Sequence, residues 1–137
     1  MESAVKINGV FEVAVKVKDL DIASKFYQDV LGFKKGLYDE SRRWLFLWVG
    51  QHTGMVVLQE DKGTWPLQHF AFSVNESALG QLREALESSN IEVEGPVLLE
   101  WMNAAALYFS DPDGHALEFC AIRASKSWAH AQRSKGG

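Results

Sequence analysis

Three short segments of alternating polarity each carry one side chain that can coordinate a metal ion. They are FEVAVKV with Glu12, QHFAFSV with His69 and GHALEFCA with Glu118. Side chains two residues apart in a strand share a face. The neighbours on these three faces are small: Ala14 in the first, Ala71 and Ser73 in the second, Ala116 and Cys120 in the third. Small neighbours leave space around the polar group, a pattern that favours a binding site over an ordinary solvent face.

Each of the three residues also has an ordinary structural interpretation. A single histidine on a strand is usually a satisfied structural residue, and a single glutamate is usually solvated. The joint placement of these side chains at equivalent points of two similar halves of the chain favours the functional interpretation.

The first half of the chain reads as a strand, a helix and further strands. Residues 11–17 alternate as a strand, and DLDIASKFYQDVLGF then changes to helical spacing. The predicted buried face of this helix consists of Ile22, Phe26 and Val30. Asp19 and Asp21 can each act as its cap or as a first-turn acid, and the sequence does not choose between them. RRWLFLWVG and GMVVLQE follow as two more strands.

The second half repeats this order. QHFAFSV is a predicted strand, and NESALGQLREALESSN is a predicted helix with Asn75 as its N-cap. The predicted buried face of that helix consists of Leu79, Leu82 and Leu86. IEVEGPVLLE, AAALYFS and GHALEFCA then supply strands, and DPDG forms the turn between the last two. The chain therefore reads as two copies of one module of about 55 residues.

Composition limits the classes of function. The 137 residues are 47% hydrophobic and 23% charged, which suits one compact domain, and the net charge of -4 offers no basic surface for nucleic acid. No stretch approaches the roughly 20 apolar residues of a membrane span. MESAVKINGV lacks the apolar run of a signal peptide, and the single cysteine, Cys120, excludes an intrachain disulfide. We expect a cytoplasmic protein with a small-molecule substrate.

The order and spacing of three stretches resemble the vicinal oxygen chelate superfamily. The stretches are VAVKVKDLDIASKFYQDVLGF, QHFAFSV and YFSDPDGHALEF, and the resemblance runs from about residue 10 to residue 121. This superfamily includes glyoxalase I, extradiol dioxygenases, fosfomycin-modifying thiol transferases and bleomycin-binding proteins. The resemblance implies an α+β fold in which two βαβββ modules form a partial barrel around a cleft, the glyoxalase-like fold.

The expected domain organisation follows from this resemblance. Residues 1–122 form a single glyoxalase-like domain, with module one at about 8–62 and module two at about 66–122. The tail, residues 123–137, is basic and low in apolar content, and we expect it to be flexible.

The resemblance also implies a metal site. In metal-dependent relatives the ligands come from the first strand of each module and from the strand after the DPDG turn, which correspond here to Glu12, His69 and Glu118. Glu12 departs from the family pattern, since most such relatives have a histidine there. Glyoxalase I-like members add a fourth ligand near VVLQE, where alignment of the modules puts Leu58 and a slip of one residue puts Gln59.

Relatives with two modules per chain commonly pair them across a dimer. We therefore expect a homodimer in which one subunit contributes Glu12 and the other contributes His69 and Glu118. Two carboxylates that converge in a cleft repel each other, and a divalent cation removes that repulsion. One histidine with two carboxylates suits Mn, Mg, Fe or Zn, and Ni is a further candidate. Open coordination positions would let the ion chelate two substrate oxygens.

Other residues near these segments have weaker indications of function. Tyr108 matches a tyrosine beside the site in the fosfomycin transferases, and its hydroxyl can donate to a substrate oxygen or simply face water. Trp44, Phe46 and Trp48 alternate along one strand and either line a pocket or belong to the core. We interpret Cys120 as a small buried residue rather than a nucleophile. His52, His115 and His130 are expected to be solvent-facing or structural.

Two classes of function follow. The first is a divalent-metal-dependent enzyme of the glyoxalase and thiol-transferase type that acts on a small oxygen-rich substrate, with a dioxygenase as an alternative on the same ligands. Ala14 and Ala106 stand where the fosfomycin transferases typically have hydroxyl side chains, which argues against fosfomycin itself. The second is a metal-free protein that binds a drug or metabolite, as the bleomycin-binding relatives do.

Overall fold

The computed structural model describes residues 4–123, and the chain divides into two compact units, Met1–Trp65 and Pro66–Gly137. Each unit follows the order strand, helix, strand, strand, strand, so the predicted α+β fold with two βαβββ modules is confirmed. The predicted flexible tail lies outside the described residues except for Arg123. No helix formed by residues 4–123 combines the length and the apolar character that a bilayer span requires.

The first unit is built on one open, mixed sheet of four strands. Its strands are β1 (Glu12–Val17), β2 (Lys34–Asp39), β3 (Trp44–Val49) and β4 (Gly54–Glu60), and its helix is α1 (Leu20–Lys25). The order across the sheet is β1-β4-β3-β2, with β1 parallel to β4 and the other pairs antiparallel. Parallel pairing of β1 and β4 requires a long crossover connection, which α1 and the β2–β3 hairpin supply.

The second unit repeats this topology. Its strands are β5 (His69–Ser73), β6 (Glu94–Leu99), β7 (Ala104–Ser110) and β8 (Ala116–Ile122), and its helix is α2 (Leu79–Ser88). The order is β5-β8-β7-β6, again with the first and last strands of the unit parallel. Short 3-10 turns at Glu76–Ala78 and Glu100–Met102 precede α2 and β7.

The structure resolves the open question about the start of α1 and corrects its buried face. Asp19 is the N-cap, because its carboxylate accepts a hydrogen bond of 3.1 Å from the Ile22 backbone N–H. A π-helical segment, Phe26–Val30, follows the six residues of α1 and changes the periodicity. The prediction that Ile22, Phe26 and Val30 form the buried face is wrong for Ile22, which is exposed, and for Val30, which is half-buried. The buried residues are Leu20, Ala23, Phe26 and Tyr27.

The predicted helix in the second unit is closer to what is observed. Leu79 and Leu86 are buried and Leu82 is half-buried, as the helical spacing indicated. Asn75 precedes the 3-10 turn, but its side chain makes no capping hydrogen bond, so the predicted side-chain cap is wrong.

Each sheet buries one face and leaves the other more open. In the first unit the buried face consists of Val15, Val17, Leu45, Leu47, Val56 and Leu58. In the second unit it consists of Ala105, Leu107, Phe109, Leu117, Phe119 and Ala121. Because alternate residues point to opposite faces, these positions place Glu12, His69 and Glu118 on the opposite face of their own sheet.

Candidate metal centre

The sheet of the second unit brings His69 and Glu118 together. In the parallel pairing of β5 with β8, His69 lies opposite Ala116 and Ala71 lies opposite Glu118, so the two polar residues are diagonal neighbours on one face. The small side chains of Ala71 and Ala116 occupy the other two corners of this square. The imidazole and the carboxylate can therefore approach without an intervening side chain.

The two side chains are in contact. His69 Nε2 lies 3.3 Å from Glu118 Oε1, and the exposed fractions of the side chains are 57% for His69 and 10% for Glu118. On the other side of the ring, Nδ1 lies 3.2 Å from the Ala116 carbonyl oxygen. A carbonyl can only accept, so Nδ1 carries the proton in this contact. In neutral His69 the Nε2 lone pair then faces a carboxylate oxygen, and two acceptors in contact require a proton or a cation between them.

These atoms fit a divalent metal ion. Bonds of about 2.1 Å from one ion to a nitrogen and an oxygen place those atoms about 3.0–3.4 Å apart at tetrahedral or octahedral angles. The observed 3.3 Å lies in this range. A histidine ligand usually donates its second ring N–H to a carbonyl or a carboxylate, as Nδ1 does here toward Ala116. Across residues 4–123 no three His, Cys, Asp or Glu side chains converge, so the second unit offers His69 and Glu118 as a pair of donors.

Two further polar side chains border Glu118. Tyr108 lies directly opposite Glu118 in the antiparallel pairing of β7 with β8, and Cys120 lies two residues along β8 on the same face. Burial and then the negative charge of Glu118 raise the pKa of the Tyr108 hydroxyl. Burial, the charge of Glu118 and a hydrogen bond to its carboxylate raise the pKa of the Cys120 thiol. Both groups therefore stay protonated at neutral pH, which agrees with the prediction that Cys120 is not a nucleophile.

A cleft opens next to Tyr108. It lies between residues 90–94, which lead from α2 into β6, and the facing ends of β7 and β8, and Tyr108, Ser110 and Glu94 are among its polar lining residues. Glu94 was not singled out from the sequence, because its position depends on its pairing with Tyr108 across β6 and β7. Ala116, which lines this cleft, is the register partner of His69, but neither His69 nor Glu118 is itself among the lining residues.

Glu12 occupies the equivalent point of the first unit in a different environment. It is exposed and lies opposite Met55, as His69 lies opposite Ala116. The position equivalent to Glu118 is therefore Val57, not Leu58 as predicted. Leu58 is fully buried on the other face. Gln59 does share the face of Glu12, but it lies four residues of β4 beyond Met55, about 13 Å along the strand.

The aromatic residues of β3 line the open face of the first sheet. Trp44, Phe46 and Trp48 are half-buried there, whereas Leu45 and Leu47 between them belong to the core. Trp48 and Glu12 are both register partners of Met55, and the exposed ring of Phe11 packs edge-on against Trp48 at 6.0 Å. The strand spacing left pocket and core as alternatives, and the half-burial of these three side chains beside the buried Met55 and Val57 leaves both open.

His115 is structural rather than solvent-facing. It is fully buried, and its Nδ1 accepts a hydrogen bond of 2.9 Å from the Gln68 backbone N–H. The backbone N–H of His115 donates a hydrogen bond of 2.9 Å to the carboxylate of Asp111, the first residue of the DPDG turn. His115 thus connects the start of β8 to the residue before His69. His52 lies in the turn between β3 and β4 and contacts Trp48, and His130 lies beyond the described residues.

Comparison with known proteins gives a consistent set of similarities. Residues 9–119 match the family described as the Glyoxalase/Bleomycin resistance protein/Dioxygenase superfamily. The metallothiol transferase FosB of Staphylococcus epidermidis is 27% identical over 118 residues, 82% of this chain and 81% of that protein.

Solved structures also match the chain. The crystal structure of an integron cassette protein from the mobile metagenome of the Halifax Harbour sewage outfall has a TM-score of 0.82 and 58% identity, covering 85% of this chain and all of that one. The fold is also shared with a point variant of FosX, the fosfomycin resistance protein of Listeria monocytogenes, at a TM-score of 0.73 and 17% identity, covering 88% of this chain and 96% of that one. That FosX structure contains Mn(II) and 1S,2S-dihydroxypropylphosphonic acid.

Proposed function

This chain belongs to the Glyoxalase/Bleomycin resistance protein/Dioxygenase superfamily, and we propose that it is a divalent-metal-dependent enzyme of the glyoxalase and thiol-transferase type. The observation that carries this proposal is the contact of 3.3 Å between His69 Nε2 and Glu118 Oε1, with His69 Nδ1 directed to a carbonyl. The similarity to FosB supports metal-dependent thiol transfer over the other chemistries of the family. The substrate is a small, oxygen-rich molecule.

We assign the metal ligands to His69, Glu118 and Glu12. His69 and Glu118 come from one subunit, and Glu12 comes from the partner in a homodimer, which is the arrangement that the family resemblance implies. Two carboxylates and one imidazole make an oxygen-rich donor set, so Mn or Fe are better candidates than a thiophilic ion, with Zn, Mg and Ni as alternatives. The Mn(II) in FosX is consistent with this order.

The chain's own residues would orient the substrate. Bound by this pair, a divalent ion supplies Lewis-acid stabilisation of negative charge on a substrate oxygen. The Tyr108 hydroxyl, kept protonated by burial and by the charge of Glu118, can donate a hydrogen bond to a neighbouring substrate oxygen. Phe46 and Trp48 offer an apolar wall on the face that carries Glu12. Ala14 and Ala106 lack the hydroxyls that would favour fosfomycin itself.

The proposal is tested by metal content after purification without chelators. We expect the wild-type protein to retain a divalent ion, and we expect His69→Ala, Glu118→Gln and Glu12→Gln each to lose most of it. Glu84→Gln is the matched control, because Glu84 is exposed on α2, away from these strands. Equal metal content in all four variants would contradict the metal-dependent function. A panel of methylglyoxal with thiols, fosfomycin with thiols, and catechols then distinguishes lyase, transferase and dioxygenase.

A metal-free binding protein is the second candidate function. It is favoured by the open aromatic face of the first sheet and by Glu12, which is exposed and has Val57 rather than a carboxylate at the neighbouring position. A wild-type protein that purifies without metal, gains none on incubation with Mn²⁺, and still quenches tryptophan fluorescence on binding a planar drug would support this function.

A further inference from the structure

The residue that precedes His69 is held through both of its backbone polar groups. The Gln68 N–H donates a hydrogen bond of 2.9 Å to Nδ1 of the fully buried His115 imidazole. The Gln68 carbonyl, which belongs to the peptide unit that leads into His69, accepts a hydrogen bond of 2.9 Å from the Ala116 N–H. The Ala116 carbonyl in turn accepts from His69 Nδ1 at 3.2 Å. These residues form one chain of hydrogen bonds that begins at the His115 ring and ends at the His69 ring.

The DPDG turn holds His115 in place. The Asp111 carboxylate accepts a hydrogen bond of 2.9 Å from the His115 backbone N–H, and the Asp111 N–H donates one of 3.1 Å to the His115 carbonyl. The same carboxylate accepts from the Asp113 N–H at 3.0 Å, which closes the turn. Buried hydrogen-bond networks with satisfied members are rigid. The His115 imidazole is therefore a fixed acceptor for the Gln68 N–H.

The two imidazoles of this chain of hydrogen bonds have opposite tautomers. A backbone N–H can only donate, so His115 Nδ1 is unprotonated and the proton of the neutral ring is on Nε2. His69 has the reverse arrangement, because its Nδ1 donates to the Ala116 carbonyl and its Nε2 lone pair faces Glu118. Only this tautomer of His69 offers Nε2 to a metal ion.

The first unit makes the equivalent backbone contact without an imidazole. There the Met55 N–H donates to the Phe11 carbonyl at 2.7 Å. The pairing of Glu12 with Met55 puts Gly54 at the position that His115 has in the second unit. Glycine has no side chain that could accept a hydrogen bond. Strand pairing therefore does not require the imidazole, and the unit that has it is the one with the candidate donor pair.

We propose that His115 is a positioning residue, which fixes the backbone before His69 so that this ring keeps Nδ1 protonated and directs Nε2 to Glu118. This inference rests on the proposed metal function of His69 and Glu118. His115 is not a ligand itself, because its Nδ1 accepts from the Gln68 N–H and its ring has no exposed surface.

The first experiment detects the contact in the wild-type protein by NMR. An N–H···N hydrogen bond gives a measurable scalar coupling between its two nitrogens in isotope-labelled protein. We expect this coupling between the Gln68 backbone nitrogen and His115 Nδ1. We also expect a protonated Nδ1 in His69 of the metal-free protein at mildly alkaline pH, where imidazoles are neutral. Absence of the coupling, or an unprotonated His69 Nδ1, would overturn the inference.

The second experiment separates positioning from packing with two substitutions of His115. His115→Asn puts an oxygen as many bonds from Cβ as Nδ1 is, so it can still accept from Gln68. His115→Gln buries the same amide one bond further out and cannot. We expect His115→Asn to keep the His69 tautomer and His115→Gln to give a mixture of both. His52→Asn is the matched control, since it makes the same change at an exposed turn of the first unit, where asparagine tolerates the φ of 61°.

The effect on the metal site is measured by isothermal titration calorimetry with Mn²⁺ on the full-length chain. We expect His115→Gln to weaken binding by about 10-fold, the low end for an outer-shell partner, and His115→Asn to stay close to the wild type. Equal affinities in the two variants would overturn the inference, because the position of the acceptor would then not matter. If His115→Gln does not fold, the His69 tautomer in His115→Asn decides, and its loss would overturn the inference.

Failure of the proposed function gives a different result. A wild-type protein that shows the coupling and the expected His69 tautomer but binds no Mn²⁺ would contradict the metal-dependent function. The role of His115 in directing the His69 ring would then still be supported.

Discussion

Two glutamates show how neighbours determine what a carboxylate does in this protein. Glu118 faces the His69 imidazole across the small side chains of Ala71 and Ala116, which leave room for an ion. Glu60, at the end of β4, is instead fully engaged by protein donors. Arg43 Nε and Nη2 each donate to it at 3.2 Å, and the Leu20 backbone N–H donates at 3.0 Å. The same residue type therefore serves a site in one unit and ties a helix start to a strand end in the other.

The Glu60 contacts predict an acid-dependent loss of stability. Hydrogen bonds from Arg43 and from the Leu20 N–H lower the pKa of Glu60 from 4.5 to about 2. Because the folded-state pKa lies below the unfolded one, this contribution is fully present above pH 4.5 and disappears as the pH falls toward 2. We expect Glu60→Gln to lower the free energy of unfolding by about 1–3 kcal/mol at pH 7. We also expect a smaller loss of stability between pH 5 and pH 2 than in the wild type. Urea denaturation across this pH range measures both effects.

The control for Glu60 is Glu40→Gln. Glu40 is exposed at the end of the β2–β3 hairpin, and its neutralisation should leave the free energy of unfolding within about 0.5 kcal/mol of the wild type. If Glu60→Gln retained the full acid sensitivity of the wild type, the pH dependence would have to arise from other carboxylates.

At the level of elements, the strands whose residues alternate between apolar and polar could be predicted from the sequence. Strand β2, which lacks this alternation, could not. KKGLYD, which forms β2, has three charged residues and a glycine and shows no period of two, so nothing local indicates a strand. It becomes one through pairing with β3, where Lys35 and Leu37 bracket a register shift at Gly36. The α1 face was mispredicted for a similar reason, because the π-helical segment breaks the period of 3.6 on which the prediction relied.

The site was predictable at the level of faces but not of register. Alternation alone put Glu12, His69 and Glu118 on the faces where they are found. It did not establish which residue of β4 corresponds to Glu118, because that depends on the Cα partners of β1 and β4, and a shift of one residue replaced Val57 with Leu58.

Both bulged strands contain a glycine whose substitution tests the packing of its sheet. A Cβ on Gly95, where φ is +114°, would lie 2.5 Å from the Ala106 backbone oxygen, whereas one on Gly36 would meet only side chains, Met55 Cε at 2.7 Å and Trp48 Nε1 at 3.0 Å. The backbone at Gly95 cannot move away, but these two side chains can shift by a few tenths of an ångström. We therefore expect Gly95→Ala to cost at least about 2 kcal/mol of unfolding free energy and Gly36→Ala about 1 kcal/mol or less.

The matched control for these substitutions lies on α2. A Cβ on Gly80 would meet nothing within 4 Å, so Gly80→Ala should stabilise the protein by about 0.5–1 kcal/mol through helix propensity. Thermal or urea unfolding of the three variants gives the comparison. Equal costs for Gly95→Ala and Gly36→Ala would mean that the sheet adjusts its backbone as readily as a side chain.

At the level of the whole molecule, the two units share a topology but have divided the chemistry between them. Four positions on the face that carries the candidate ligands can be matched between the units. The second unit has His69, Glu118, Tyr108 and Cys120 there, and the first unit has Glu12, Val57, Phe46 and Gln59 in the same order. The second unit therefore has the imidazole, the phenol and the thiol, and the first has a single carboxylate beside an aromatic surface. Each chain therefore provides one pair of metal donors, His69 and Glu118, and one additional carboxylate, Glu12. A metal site shared between two subunits would need this set.

This division leads to a complementation prediction for the proposed homodimer. If Glu12 completes the site of the partner subunit, Glu12→Ala and His69→Ala should each lose the bound ion when either variant is expressed by itself. Co-expression of the two variants then yields mixed dimers with one intact site. With random pairing, half of the dimers are mixed, so metal content should recover to about a quarter of the wild-type value, measured on purified protein whose dimeric mass is verified. If the three ligands came from one chain, every site in the mixed dimers would lack one ligand and no recovery would occur. A monomeric mass would contradict the shared site directly.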